Sequence, residues 1–235
     1  MVEVSVEKRR RTRLIEKYDF GMTPKESGDN VPIASQQDLV DGVYLLVDAA
    51  VAGELDRLRS EEGIVPSCRS GCDHCCRYHI VMNIAEAQTL AHYIKREWSA
   101  EQIADLRMRT HQWNEWDNSR PGRPSAIIIE QTDLSNYDHC CPMLVNGTCS
   151  IYPVRPVVCR AHYVSSHPRY CSAVNDPELT EDAPVVLKSI VEVVSPLSRI
   201  MQDHIEDAGI HFSRSNMLLP QWLTIEMGWD FAISL

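Results

Sequence analysis

Eight of the nine cysteines in this 235-residue chain fall into two tight arrays, Cys68, Cys72, Cys75 and Cys76, followed by Cys141, Cys149, Cys159 and Cys171. Thiolates at such spacings are soft, anionic ligands, the donor set that zinc and iron–sulfur clusters take. The pattern implies a chain that holds metal. Its 44% hydrophobic content is enough for one well-buried domain and too rich in core residues for a disordered chain.

The remaining composition narrows the setting. Residues 1–12 contain no apolar stretch of the kind a secretory signal uses. The longer apolar stretches, such as Val43 to Ala52, are broken by charge at Asp48 and fall far short of the roughly 18 residues a membrane span needs. The expectation is a cytoplasmic protein, where reducing conditions make clustered cysteines metal ligands or reactive thiols rather than disulfides. The formal net charge is −10, and Lys8, Arg9, Arg10, Arg11 and Arg13 hold five of the 23 basic residues; without them 18 stand against 33 acidic ones, a balance of −15. Such a body disfavours non-specific binding to nucleic acid, and the basic segment reads as a solvated terminus. A redox or protein partner is compatible with this charge, and no membrane partner is expected.

Residues 1–34 mix charge with Gly21, Pro24, Gly28 and Pro32 and read as a loosely ordered N-terminal arm; residues 35–235 read as a single helical metal-binding domain with its cysteine core at 68–171. Ser35 with Asp38 three residues on resembles a helix cap. Leu39, Val43, Leu46 and Ala50, widened by Val40, Val47 and Val51, predict a core helix to about Ser60, ended by Gly63 and Pro66. Asn83 and Glu86 form a second capping pattern, with Ile84, Ala87, Ala91, Ile94 and Trp98 on one helical face. Ser99 and Gln102 start another helix with Ile103, Leu106, Thr110 and Trp113 in phase, so the pair predicts an antiparallel helical hairpin. Pro121 to Pro124 break the pattern, and Ala126 to Ile129 predict one short buried strand. Asn146-Gly147 predicts a small β-hairpin carrying Cys149. Val185 to Val194 and Leu197 to Ala208 read as two helical stretches, with Ser195-Pro196 restarting or kinking the chain and Gly209 stopping it; the segment from Pro220 on, with Trp222 and Trp229, packs back onto the domain. The predicted class is mainly α, a helical domain with irregular cysteine-rich metal-binding loops and a small β-hairpin.

Within the first array, Cys72 and Cys75 give two thiolates a compact bite, because two intervening residues let the chain turn and present backbone N–H groups to the sulfurs. Cys75 and Cys76 are adjacent. In an extended segment their side chains point to opposite sides, which sends one of them to a second site or into packing as a small hydrophobe. The second array forms no site on local spacing alone and is expected to complete the site that the first begins.

The C-x3-C-x2-C-C run of Cys68 to Cys76, with Cys141-Pro142, Cys149-Ser150-Ile151-Tyr152, Arg155-Pro156 and Cys159-Arg160, resembles the YkgJ-type cysteine-cluster family. That resemblance covers roughly Cys68 to Cys171 and implies a zinc- or iron-chelating domain. The cysteine region is also similar to that of the flagellin lysine N-methylase FliB, which implies an iron–sulfur centre and methyl transfer within the family's reach. Carried over residue by residue, the pattern selects Cys68, Cys72, Cys75, Cys76, Cys141, Cys149, Cys159 and Cys171 as metal ligands and leaves Cys140 out. Eight thiolates without a strongly placed histidine favour an iron–sulfur cluster, [4Fe–4S] in type, over structural zinc, although four cysteines satisfy zinc equally by ligand type.

Cys68-x3-Cys72-x2-Cys75 also matches the spacing of radical S-adenosylmethionine enzymes. Their partial barrel needs a series of alternating strands and helices, whereas this chain offers one strand candidate and no Gly-rich cofactor loop. Arg155 and Arg160 are the candidate cofactor-binding residues behind the ligands, since guanidinium groups stabilise an anionic cluster. His74, His139, His162 and His167 read as solvated or hydrogen-bonded histidines, because cysteines already suffice as ligands. Tyr152, Tyr163, Trp113, Trp116, Trp222 and Trp229 read as packing residues. The function expected is electron transfer or Fe–S-dependent catalysis; a zinc-stapled interaction module and a radical or methyl-transferring enzyme are the alternatives. No catalytic residue is assigned.

Overall fold

Val40, Val43, Tyr44, Val47, Val51 and Leu58 recur at helical spacing and are all buried, forming the inner stripe of the long first helix, α1 (Ile33–Glu61). Full burial of each such side chain stabilises the fold by about 1.5–3 kcal/mol. The stripe is rotated from the expected one, for Leu46 is 51% exposed while Tyr44 is inside. The computed structural model describes residues 33–69, 71–119, 139–173 and 184–233. The N-terminal arm over 1–34, apart from the start of α1, and the strand expected at 126–129 lie outside the described residues.

The other helices are α2 (Ile84–Glu97), α3 (Ala100–Ser119), α4 (Val157–Ala161), α5 (Arg169–Ala173), α6 (Lys188–Asp207) and α7 (Leu219–Glu226). α1 packs along α6 and against α2 and α4, and α7 packs on α2 and α3. The domain is mainly helical, as the periodicity predicts. No helix among the described residues is long and apolar enough to cross a membrane.

Capping chemistry explains where the hairpin of α2 and α3 begins. The Asn83 side chain accepts from Glu86 N at 3.0 Å, and the Glu86 side chain accepts from Asn83 N at 3.3 Å, a complete capping box. Ser99 and Gln102 make the same reciprocal pair at 2.8 and 3.2 Å. Leu106, Thr110 and Trp113 are buried in phase on α3. Near the C-terminus the expectation of two helices fails. α6 runs unbroken from Lys188 to Asp207 with Pro196 inside it, burying Ile190, Val194, Met201 and Ile205 on one face. That burial outweighs the lost proline N–H, and the Ser195 hydroxyl donates to Val191 O at 2.8 Å in the preceding turn. Gly209, with φ +80°, ends the run.

Two small antiparallel pairs complete the fold: β1 (Val81–Met82) with β4 (Met217–Leu218), and β2 (Leu144–Val145) with β3 (Thr148–Cys149). Asn146 at φ 50° and Gly147 at φ 72° join β2 to β3, the left-handed pair that a tight hairpin requires. The β1–β4 pair had no sequence signal. It brings the C-terminal segment home, with Leu219 N donating to Ile80 O at 2.8 Å and buried Trp222 donating through Nε1 to Met82 O at 3.0 Å.

Glu86 does more than cap α2. Fully inside the core, its carboxylate also accepts from the Tyr44 hydroxyl at 3.3 Å and from Val157 N at 2.8 Å, tying α1, α2 and the start of α4 together. Glu86→Ala leaves these buried donors without an acceptor and is expected to destabilise the protein by about 3 kcal/mol, read as a lowered urea midpoint at unchanged slope. An unchanged midpoint would show that water replaces the carboxylate.

Candidate metal centre

Local geometry at the first array is set by a glycine turn. Gly71, at φ +83°, turns the chain into Cys72, and residues His74–Arg77 then close into a 3-10 helix. Cys72 N donates to Arg69 O at 3.1 Å, Cys76 N to Asp73 O at 2.9 Å and Tyr78 N to Cys75 O at 3.1 Å. The segment is therefore not extended, and the expected divergence of Cys75 and Cys76 does not occur. Both line one cavity, and the Cys76 thiol bonds to Cys75.

Tertiary contacts bring the second array to the first. Cys141 N donates to Cys76 O at 2.7 Å, joining the hairpin to the chelating loop. The hairpin is braced by Ser150, whose N and Oγ both donate to Met143 O, at 2.9 and 2.8 Å. Cys159 rides on α4, which Glu86 holds at Val157. Ser67 N donates to Val164 O at 2.9 Å and Val164 N to Cys68 Sγ at 3.4 Å, closing the other side. The Tyr78 hydroxyl donates to Cys171 O at 3.0 Å.

These contacts build a cavity of about 200 Å³ whose wall carries Cys68, Cys72, Cys75, Cys76, Cys141, Cys149 and Cys159. Cys171 is buried outside that wall, its thiol within electrostatic reach of Cys68, Cys72 and Cys75. Cys140 does not line it. Among the described residues no three His, Cys, Asp or Glu side chains converge on one point; the cysteines of this wall would hold a metal by closing on it.

Arg155 and Arg160, paired in the sequence reading, take different places. Arg155 lines the cavity, lies 4.1 Å over the Tyr152 ring, and favours the thiolate forms of Cys75, Cys149 and Cys159. Its Nε is buried with no hydrogen-bond partner among the described residues, a donor suited to an anionic centre. Arg160 does not line the cavity. Buried, it donates to Asp48 Oδ2 at 2.5 Å, Pro153 O at 2.5 Å and Arg155 O at 2.8 Å, with its guanidinium 4.1 Å over the Tyr44 ring. It braces the turn that presents Arg155.

Of the four histidines, His162 alone stands on the cavity wall. Its Nε2 is buried with no hydrogen-bond partner among the described residues, its ring meets Tyr78 edge-on at 5.5 Å, and desolvation lowers its pKa, which favours the neutral imidazole. It thus differs from the solvated or hydrogen-bonded histidine expected there. His139 stacks on Trp116 at 4.7 Å. Tyr152 and Tyr163 line the cavity, while Trp113 and Trp222 are core residues.

Burial governs the thiols. Desolvation pushes Cys141 up to about 12 and raises Cys68, Cys149, Cys159 and Cys171. Cys75 runs the other way, because the Cys76 thiol donates to it; the same bond raises Cys76. Burial thus favours the neutral thiol at Cys68, Cys141, Cys149 and Cys159, and the bond from Cys76 favours the thiolate at Cys75.

Residues 67–175 match the model of the CxxCxxCC family, described as a zinc- or iron-chelating domain, in agreement with the YkgJ-type resemblance of the cysteine pattern. That match supports a metal-binding cysteine cluster in this part of the chain. No curated protein and no solved structure matches it.

Two outcomes are expected. Cys72→Ser or Cys75→Ser removes metal and lowers stability, whereas Cys140→Ala, off the cavity wall, leaves metal content by elemental analysis unchanged; equal loss in the Cys140 variant would reverse that assignment. The second outcome concerns pH. Raised thiol pKa values stabilise the metal-free fold below the unfolded-chain value of about 8.5, and that contribution is lost as pH rises through the folded values. Metal uptake expels the same protons, so its affinity falls as pH falls. Urea midpoints of metal-free protein should drop above about pH 8.5, while chelator competition should show tighter metal binding over the same rise.

Proposed function

We propose that the cysteine cavity holds an iron–sulfur centre, [4Fe–4S] in type, and that the protein acts in electron transfer or in Fe–S-dependent catalysis. The observation that carries this reading is one small cavity bearing seven cysteines, with Arg69 and Arg155 on its wall to offset the negative charge of a thiolate-ligated cluster. A bound cluster would supply one-electron chemistry. The chain's own residues do the rest. Cys72 and Cys75 offer the local bite, Cys141, Cys149 and Cys159 arrive from the hairpin and α4, and Arg155 offsets negative charge as thiols ionise. Burial of Cys141 and partial burial of Cys159 limit access of water and oxidants to the sulfurs.

With seven cysteines on the wall and Cys171 behind it, a cluster seated by Cys68, Cys72 and Cys75 has several candidates for a fourth thiolate. A closed centre favours electron transfer over binding S-adenosylmethionine at an open iron.

Protein prepared without oxygen is expected to carry iron with inorganic sulfide and a broad visible absorption that bleaches on reduction, because thiolate-to-iron charge transfer has no counterpart in d¹⁰ zinc. Colourless protein with stoichiometric zinc would replace this reading with a zinc-stapled interaction module. Reduced protein incubated with S-adenosylmethionine is expected to yield no 5′-deoxyadenosine above a Cys72→Ser control; production above that control would establish the radical-enzyme alternative.

A further inference from the structure

A second cleft, of about 850 Å³, shares Cys68 and Arg69 with the wall of the cysteine cavity. Its other polar walls include His74 on the chelating loop and His167, Arg169 and Ser172 at or next to α5. None of its described lining residues is a carboxylate. In a chain where 33 acidic residues outnumber 23 basic ones, the described lining of this cleft gathers two guanidiniums and two imidazoles.

The walls are tied together. Ser67 Oγ donates to Ser166 O at 2.6 Å, joining the segment before Cys68 to the segment before His167. Arg169 N donates to His167 Nδ1 at 3.2 Å, so the proton of the neutral imidazole sits on Nε2 and His167 remains a donor in either charge state. The Arg169 guanidinium lies 4.9 Å over the Tyr170 ring and donates to its hydroxyl at 3.0 Å, which restrains the side chain.

We propose that this cleft binds an oxyanion, the phosphate or carboxylate group of a small ligand, and holds it beside Cys68. Guanidinium forks match both oxyanions in geometry and charge. Nearness of this ligand to a metal rests on the proposed metal centre; the anion site stands on its own residues. The link through Cys68 and Arg69 would place such a ligand where it can reach, or tune, the metal centre.

Calorimetric titration of the metal-loaded full chain with inorganic phosphate, and separately with malonate, tests the site. Saturable binding is expected, weakened about tenfold or more by Arg69→Gln together with Arg169→Gln, at unchanged metal content. Arg59→Gln, an exposed position on α1, should leave it unaltered. Tighter phosphate binding assigns a phosphate-bearing ligand, and tighter malonate binding a carboxylate-bearing one. Failure of both anions to saturate, or binding undiminished in the double variant, overturns the proposal while leaving the metal reading intact. Loss of binding in variants of a protein that holds no metal supports the anion site and removes the metal reading instead.

Discussion

The structure depends on one buried carboxylate. Glu86 is 3% exposed, yet every donor that meets it comes from a different piece of the fold: its own cap at Asn83, Tyr44 on α1 and the first N–H of α4 at Val157. A five-residue helix such as α4 has too few internal hydrogen bonds to hold itself. Its place is dictated by Glu86 at one end and by buried Arg160, clamped to Asp48 and two backbone carbonyls, further along. Because Cys159 sits between these anchors, the position of one cavity thiol follows from a polar network that touches no metal. Desolvation raises the pKa of Glu86, and the four hydrogen bonds it accepts offset that cost.

The cavity applies the opposite strategy. Desolvation favours the neutral thiols of Cys68, Cys141, Cys149 and Cys159, whereas Cys75, to which a neighbouring thiol donates, runs the other way. A soft cation held by these cysteines would favour their thiolate forms and offset the desolvation penalty on them. The Arg155 charge favours the thiolate forms of Cys149 and Cys159, against the desolvation that raises them. The cysteine wall is also part of the core, with Cys141 buried and Cys159 partly buried among apolar residues.

Much of the local architecture was legible in the residues. The capping pairs at Asn83 and Ser99, the Asn146-Gly147 hairpin, the stop at Gly209 and the burial of Trp222 rest on interactions within a few residues or on strong hydrophobicity, and short-range chemistry reports them. Pro196 misled because burial along α6 outweighs one missing hydrogen bond. The β1–β4 pair is only two residues long on each side and separated by more than half the chain, below any periodic signal.

The sequence by itself determined the donor chemistry: the thiolates, their compact first bite and the helices that carry them, because ligand type and local turns are properties of residue identity and near neighbours. Tertiary structure decided which donors share a wall. It set Cys75 and Cys76 on one side through a 3-10 turn, joined Cys141 to Cys76, left Cys171 behind the wall, and separated Arg155 from Arg160 although only four residues lie between them. Those outcomes depend on contacts between segments up to about a hundred residues apart, such as Ser67 with Ser166. Their energies come from burial and hydrogen bonds made only once the helices pack, so no spacing along the chain records them.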